Sequence, residues 1–109
     1  MALAYRAEAE DVVRVAAPEP VPGHGRQYTA LAVFDGERWA SLCPDLDIAS
    51  VGDTGQEAIA NLIAAVREAV EVAQAEGLEP GRETPTDEIL AFGRGHQGTQ
   101  PAVSEAFIL

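Results

Sequence analysis

The sequence predicts an α+β domain of two layers: a three-stranded antiparallel meander, one long helix across it and a C-terminal strand, in the order β-β-β-α-β. Three observations carry this. Two strand-forming runs, YTALAVF (28–34) and RWASL (38–42), flank Asp35-Gly36, a dipeptide that closes tight hairpins. Ile59, Leu62, Ile63, Val66, Val70 and Ala73 recur with the helical period and make one apolar stripe over 55–76. AVSEAFIL (102–109) is again rich in strand formers.

The first 17 residues are weakly patterned, with Val12, Val13 and Val15 hinting at a short strand. PEPVPGHG (18–25) packs three prolines and two glycines into eight residues, the composition of an extended linker. Residues 1–26 therefore read as an extension and linker, and 27–109 as the folded domain. Pro44 lacks an N–H and ends the second strand, so Pro44-Asp45-Leu46-Asp47 reads as a turn. IASV (48–51) is the third strand. Gly52 gives the backbone freedom at its exit, and Asp53 sits beside the helix start, where the helix dipole favours a carboxylate. Thr54 and Glu57 form a capping box, and Gly77 is the expected helix stop. A short second helix follows, with Thr84 as cap, Pro85 in its first turn, Gly93 at its end, and Ile89, Leu90 and Phe92 packing inward. RGHQGTQP (94–101) is a loop; its G-x-G-x-x-G follows a helix and precedes a strand, the wrong context for a dinucleotide fingerprint.

The strand 28–34 is apolar on both sides. Tyr28, Ala30, Ala32 and Phe34 face one way, Leu31 and Val33 the other. One helix covers one face, so the second is expected either to stay partly apolar in water or to be covered by another chain. The apolar final strand, if left as an edge, invites pairing with a second copy.

Charge narrows the partners. The 109 residues carry 18 acidic and 7 basic side chains, a net charge of -11, and every basic residue is an arginine. Such a surface repels phosphate backbones and attracts a basic partner, although acidity also serves solubility alone. The single cysteine, Cys43, excludes an internal disulfide and a thiolate metal cluster, which fits a reducing cytoplasm. No apolar run reaches the ~20 residues of a membrane span, and the acidic N-terminal residues do not form a secretory signal.

Several residues are of types that carry chemistry. Asp35, Asp45, Asp47 and Asp53 lie near strand ends and turns, where carboxylates converging on a divalent metal would make a nuclease site. The simpler reading gives each a turn or helix-start role. His24 and His96 are isolated in Gly-rich segments, and Cys43 has no evident base, so no catalytic residue, metal or cofactor is expected. Trp39 is either the main core aromatic or an anchor for a partner. Leu31 and Val33 of the uncovered face, with Trp39, Asp45 and Asp47, are the candidate partner-binding residues.

Trp39, Leu42, Pro44, Asp45 and Leu46, then Gly52, Asp53, Thr54, Glu57, Ala58, Asn61 and Leu62, then Glu68 and Ala69, stand in an order and spacing that resemble the HicB-like antitoxin family. The resemblance covers about 28–109. It implies a partial RNase H-like fold, with a three-stranded meander, a helix and a further strand. It also implies a role: binding and masking a small basic HicA-like toxin that cleaves mRNA, without enzymatic activity of the chain's own. Self-association as a dimer or tetramer is expected. The alternative is a stand-alone homo-oligomeric HicB-like domain that binds a small ligand or another protein. Many members add a C-terminal ribbon-helix-helix or helix-turn-helix domain. The sequence stops at Leu109, just after the expected last strand, so direct DNA binding is not expected.

Overall fold

The computed structural model describes residues 20–94 and 101–109. Its elements are β1 (Gln27–Phe34), β2 (Trp39–Cys43), β3 (Ile48–Gly52), α1 (Gly55–Glu76), α2 (Thr86–Arg94) and β4 (Val103–Ile108). The strands form one sheet in the order β3-β2-β1-β4, with every neighbouring pair antiparallel. The predicted α+β meander with one long helix and a returning strand is therefore the fold. The early valines and His96 lie outside the described residues.

Each junction has a local cause. At the β1–β2 hairpin, Asp35 Oδ1 accepts the backbone N–H groups of Glu37 (2.9 Å) and Arg38 (2.8 Å). These two bonds hold the Asp35 carboxyl below its usual range. The pairing Leu31↔Leu42 through Phe34↔Trp39 follows from that turn, and the Phe34 and Trp39 rings meet at its mouth, tilted by 51° with centroids 5.8 Å apart. At the helix start, Thr54 Oγ1 accepts the Glu57 N–H at 3.0 Å, while Glu57 Oε1 accepts the Asp53 N–H at 2.6 Å. The capping box is present, its return arm reaching Asp53 rather than Thr54. At the other end Gly77 is left-handed (φ 70), its N–H and that of Leu78 turning back to Gln74 and Ala73 carbonyls in a Schellman closure.

The helix α1 packs across β1, β2 and β3. Its Ile59, Leu62, Ile63, Val66 and Val70 meet Tyr28, Ala30, Ala32, Cys43, Val103, Phe107 and Leu109 in one buried cluster. Ala30 and Ala32 lie under the helix, where short side chains let it approach the sheet. Each buried Leu, Ile or Val side chain contributes about 1.5–3 kcal/mol, so this stripe is the main source of stability.

Three expectations are corrected. The folded unit begins before Gln27: Val21 is buried in the core, Gln74 Nε2 donates to the Pro22 carbonyl at 2.7 Å, and Arg26 exchanges both backbone hydrogen bonds with Leu109. A proline-rich stretch needs no strand ladder to be fixed when side chains and a neighbouring strand end meet its carbonyls. The second helix buries none of its residues, and Leu90 is more than half exposed. Its cap differs too, since the Pro85 carbonyl accepts the first helical N–H groups, from Glu88 and Ile89, and Thr84 is used elsewhere. Finally, the centre of the sheet face away from α1 is not bare. Leu31, Val33 and Leu42 are 7%, 2% and 6% exposed within the single chain. Four consecutive residues of β1, Ala30 to Val33, are buried, the pattern of a strand covered on both sides.

Candidate functional site

One set of side-chain contacts from the motif residues lies where β2 turns into β3. Cys43 closes β2, Pro44 takes the second position of a reverse turn, and the Leu46 N–H returns to the Cys43 carbonyl at 3.2 Å. Leu46 drops into the core under this turn. Extending the β1–β2 register by two pairs sets Pro44 opposite Thr29, and there the ladder stops. The Asp45 carboxylate fills the place, accepting the Thr29 N–H on Oδ2 at 2.8 Å. Asp47 then carries a positive φ of 56°, a conformation in which Asp and Asn are among the best tolerated non-glycine residues. Its Oδ1 accepts the Thr84 hydroxyl at 2.9 Å, and the Thr84 N–H goes to the Pro44 carbonyl at 2.8 Å. Gly81 lies so close that a Cβ there would stand 2.5 Å from the Leu46 carbonyl oxygen.

Cys43 is buried beside this turn, with Sγ 3.7 Å from Asp45 Oδ2. Burial, reinforced by the Asp45 charge, pushes its thiol up to about 12. A nucleophilic cysteine needs the opposite shift. Cys43 is a core group.

The remaining carboxylates have structural partners. Asp53 ion-pairs loosely with Arg38 across 3.9 Å of exposed surface, and Asp35 holds the hairpin. Among the described residues no group of three or more His, Cys, Asp or Glu side chains is placed to hold a metal ion, and no helix is long and apolar enough to cross a membrane. His24 bridges the linker to the final strand: its Nδ1 lies 2.7 Å from the Leu109 carbonyl oxygen and its Nε2 3.1 Å from the Tyr28 hydroxyl.

The chain matches no family model, no curated protein and no solved structure.

The five candidate partner-binding residues do not share a patch. Leu31 and Val33 are buried, Trp39 packs half-buried on the core beside Phe34, and Asp45 and Asp47 lie beyond the opposite end of β2. The motif residues Pro44, Leu46, Gly52, Asp53, Thr54 and Glu57 all serve the turn or the helix start. Gly52 is needed there for space, because a Cβ would lie 2.5 Å from the Ala58 nitrogen. Among the described residues the large apolar side chains left in water lie elsewhere: Val51 and Ile108 at opposite margins of the sheet, Leu90 on α2, Val72 on α1 and Leu78 just past its end. Neither Val72 nor Leu78 stood out in the sequence, since Val72 falls outside the core stripe; an apolar residue directly after the stop glycine was the one available signal for Leu78.

Proposed function

We propose that this chain is an interaction protein, a HicB-like antitoxin that binds and masks a small basic HicA-like mRNA-cleaving toxin in the cytoplasm. The reading rests on the motif resemblance and on the net charge of -11. One structural observation supports it above others. The residues that carry the resemblance build one coherent element, a Pro-Asp-Leu turn leading through a short strand into a capped helix, on a β-β-β-α-β frame of the kind the resemblance implies. The turn and helix-start residues among them work architecturally, so the partner must be met by other surfaces. With Leu31, Val33 and Leu42 sealed, those surfaces are the sheet margins and the outer side of α1.

Co-purification from the native operon tests the proposal. The expected result is recovery of a short arginine- or lysine-rich protein whose toxicity this chain relieves. A neighbourhood without such a protein, together with no rescue, counts against it.

A second reading, a stand-alone homo-oligomer binding a small ligand or another protein, is favoured by the two exposed sheet margins. Val51 on β3 and Ile108 on β4 both sit on edge strands, where a second copy could extend the sheet. It predicts a stable oligomer by light scattering and no basic partner.

A further inference from the structure

Helix α1 has a second face. Beside its core stripe, at the edge marked by Ala73, Ala65, Ala69, Val72 and Glu76 follow one another three or four positions apart and so line one side of the helix. They floor an open groove of ≈ 380 Å³ that Leu78, Glu79 and Pro80 close at the C-terminal end. Val72 and Leu78 are 53% and 63% exposed. The residue after a Schellman glycine commonly folds back onto the helix; Leu78 instead remains mostly in water.

The walls of the groove are acidic. Among the described residues Glu68, Glu76 and Glu79 line it and no arginine does. The last turn of α1 contains no basic residue, so the negative end of the helix dipole faces the same rim without a cation of its own helix. Beyond Leu78 a second depression of ≈ 460 Å³, which shares Ala73, Leu78, Glu79 and Pro80 with the groove, runs toward His24 and Arg26. The small alanines make the floor shallow enough for a backbone to come close. From Ala65 to Glu76 the trough is about 16 Å long, at ~1.5 Å per residue, room for roughly three helical turns of a partner.

We propose that this groove docks a basic amphipathic helix of another protein, with aliphatic side chains on Val72 and Leu78 and lysines or arginines against Glu68, Glu76 and Glu79. A second copy of this chain does not fit, because a two-fold pairing of the groove would set glutamate against glutamate. The inference shares with the proposed function only the basic character of the partner, which the groove's own charges support; it does not depend on that partner being a toxin.

The test uses the isotope-labelled full chain and a synthetic amphipathic peptide of leucine and lysine. Amide shifts are expected to centre on Val72, Glu76 and Leu78. Replacing the two exposed apolar side chains of the groove while keeping the charge (Val72→Ser with Leu78→Ser) should weaken binding about tenfold, the effect of losing one or two apolar contacts. Both side chains are exposed, so the variant should keep its helical signal; Glu76→Gln with Glu79→Gln is a second variant that should weaken binding in a salt-dependent way. Shifts centred on Val51 or Ile108, equal binding of a leucine-glutamate peptide, or unchanged affinity in both variants would overturn the proposal. No toxin enters this test, so a failed rescue in cells and a failed titration are separate results.

Discussion

The backbone N–H of Thr29 in the middle of the sheet is bound not by a strand but by the carboxylate of Asp45, at 2.8 Å. Pro44 ends β2 at the point where β1 still has a donor to satisfy, and the next side chain supplies the acceptor. The proline and the aspartate are thus one device: the first stops the ladder, the second closes it.

Asp45→Ala should accordingly destabilise the domain by about 1–3 kcal/mol, the cost of leaving a poorly solvated N–H without its partner. Asp45→Asn keeps an acceptor in place and should cost less than half as much. Urea unfolding followed by Trp39 fluorescence measures both; equal losses would mean that charge rather than the hydrogen bond matters there.

At the exit of β3 the constraint is space. A methyl group on Gly52 would press on the Ala58 nitrogen and the Glu57 carbonyl carbon, both backbone atoms of the first helical turn. Gly52→Ala should cost about 1–3 kcal/mol as overpacking, although alanine has the better helix and strand propensity. A thermal melt at or above that of the parent chain would show that the turn moves aside freely.

Thr54→Ala removes the acceptor of the Glu57 N–H and should cost about 1 kcal/mol, whereas Thr54→Ser should be close to neutral. The loss should appear in amide exchange first, confined to the opening turn of α1.

Cys43 provides a pH prediction. Its thiol moves from an ordinary 9.0 up to about 12, chiefly because it is buried. The folded state thus holds its proton more tightly than the unfolded one. The stability it contributes is complete below about pH 9 and is lost as pH rises toward about 12. At pH 8 the native protein should react with a thiol reagent only through unfolding, and added urea should release the full reactivity at once. Rapid labelling of the native chain would contradict the burial.

Much of the frame was legible because its causes are local. The Asp35-Gly36 hairpin, the Thr54 and Glu57 cap and the Gly77 stop are each written within a few residues, and the helical period of Ile59 to Ala73 allowed only one buried face. What escaped depends on groups far apart in sequence. Thr84 looks like a helix cap until the Pro44 carbonyl and Asp47 arrive to claim it. Val21 lies in a proline-rich run that nothing nearby would order, yet it is buried in the core cluster, its segment tied down by Gln74 at Pro22 and by Leu109 at Arg26. The burial of Leu31 and Val33 was hidden for the same reason: periodicity says which way a side chain points, not what meets it.

The sheet is completed by residues that are distant along the chain. His24 and Leu109, 85 positions apart, are joined beside the Arg26–Leu109 backbone pair, and β4 runs along the flank of β1. Closing so long a loop is slow. Until β4 arrives, β1 has an unpaired edge next to the apolar Tyr28, Ala30 and Ala32, a template for contact between nascent chains. Solubility during synthesis therefore hangs on how soon the last strand is delivered, and a shortened chain lacking it is expected to aggregate rather than persist as a smaller domain.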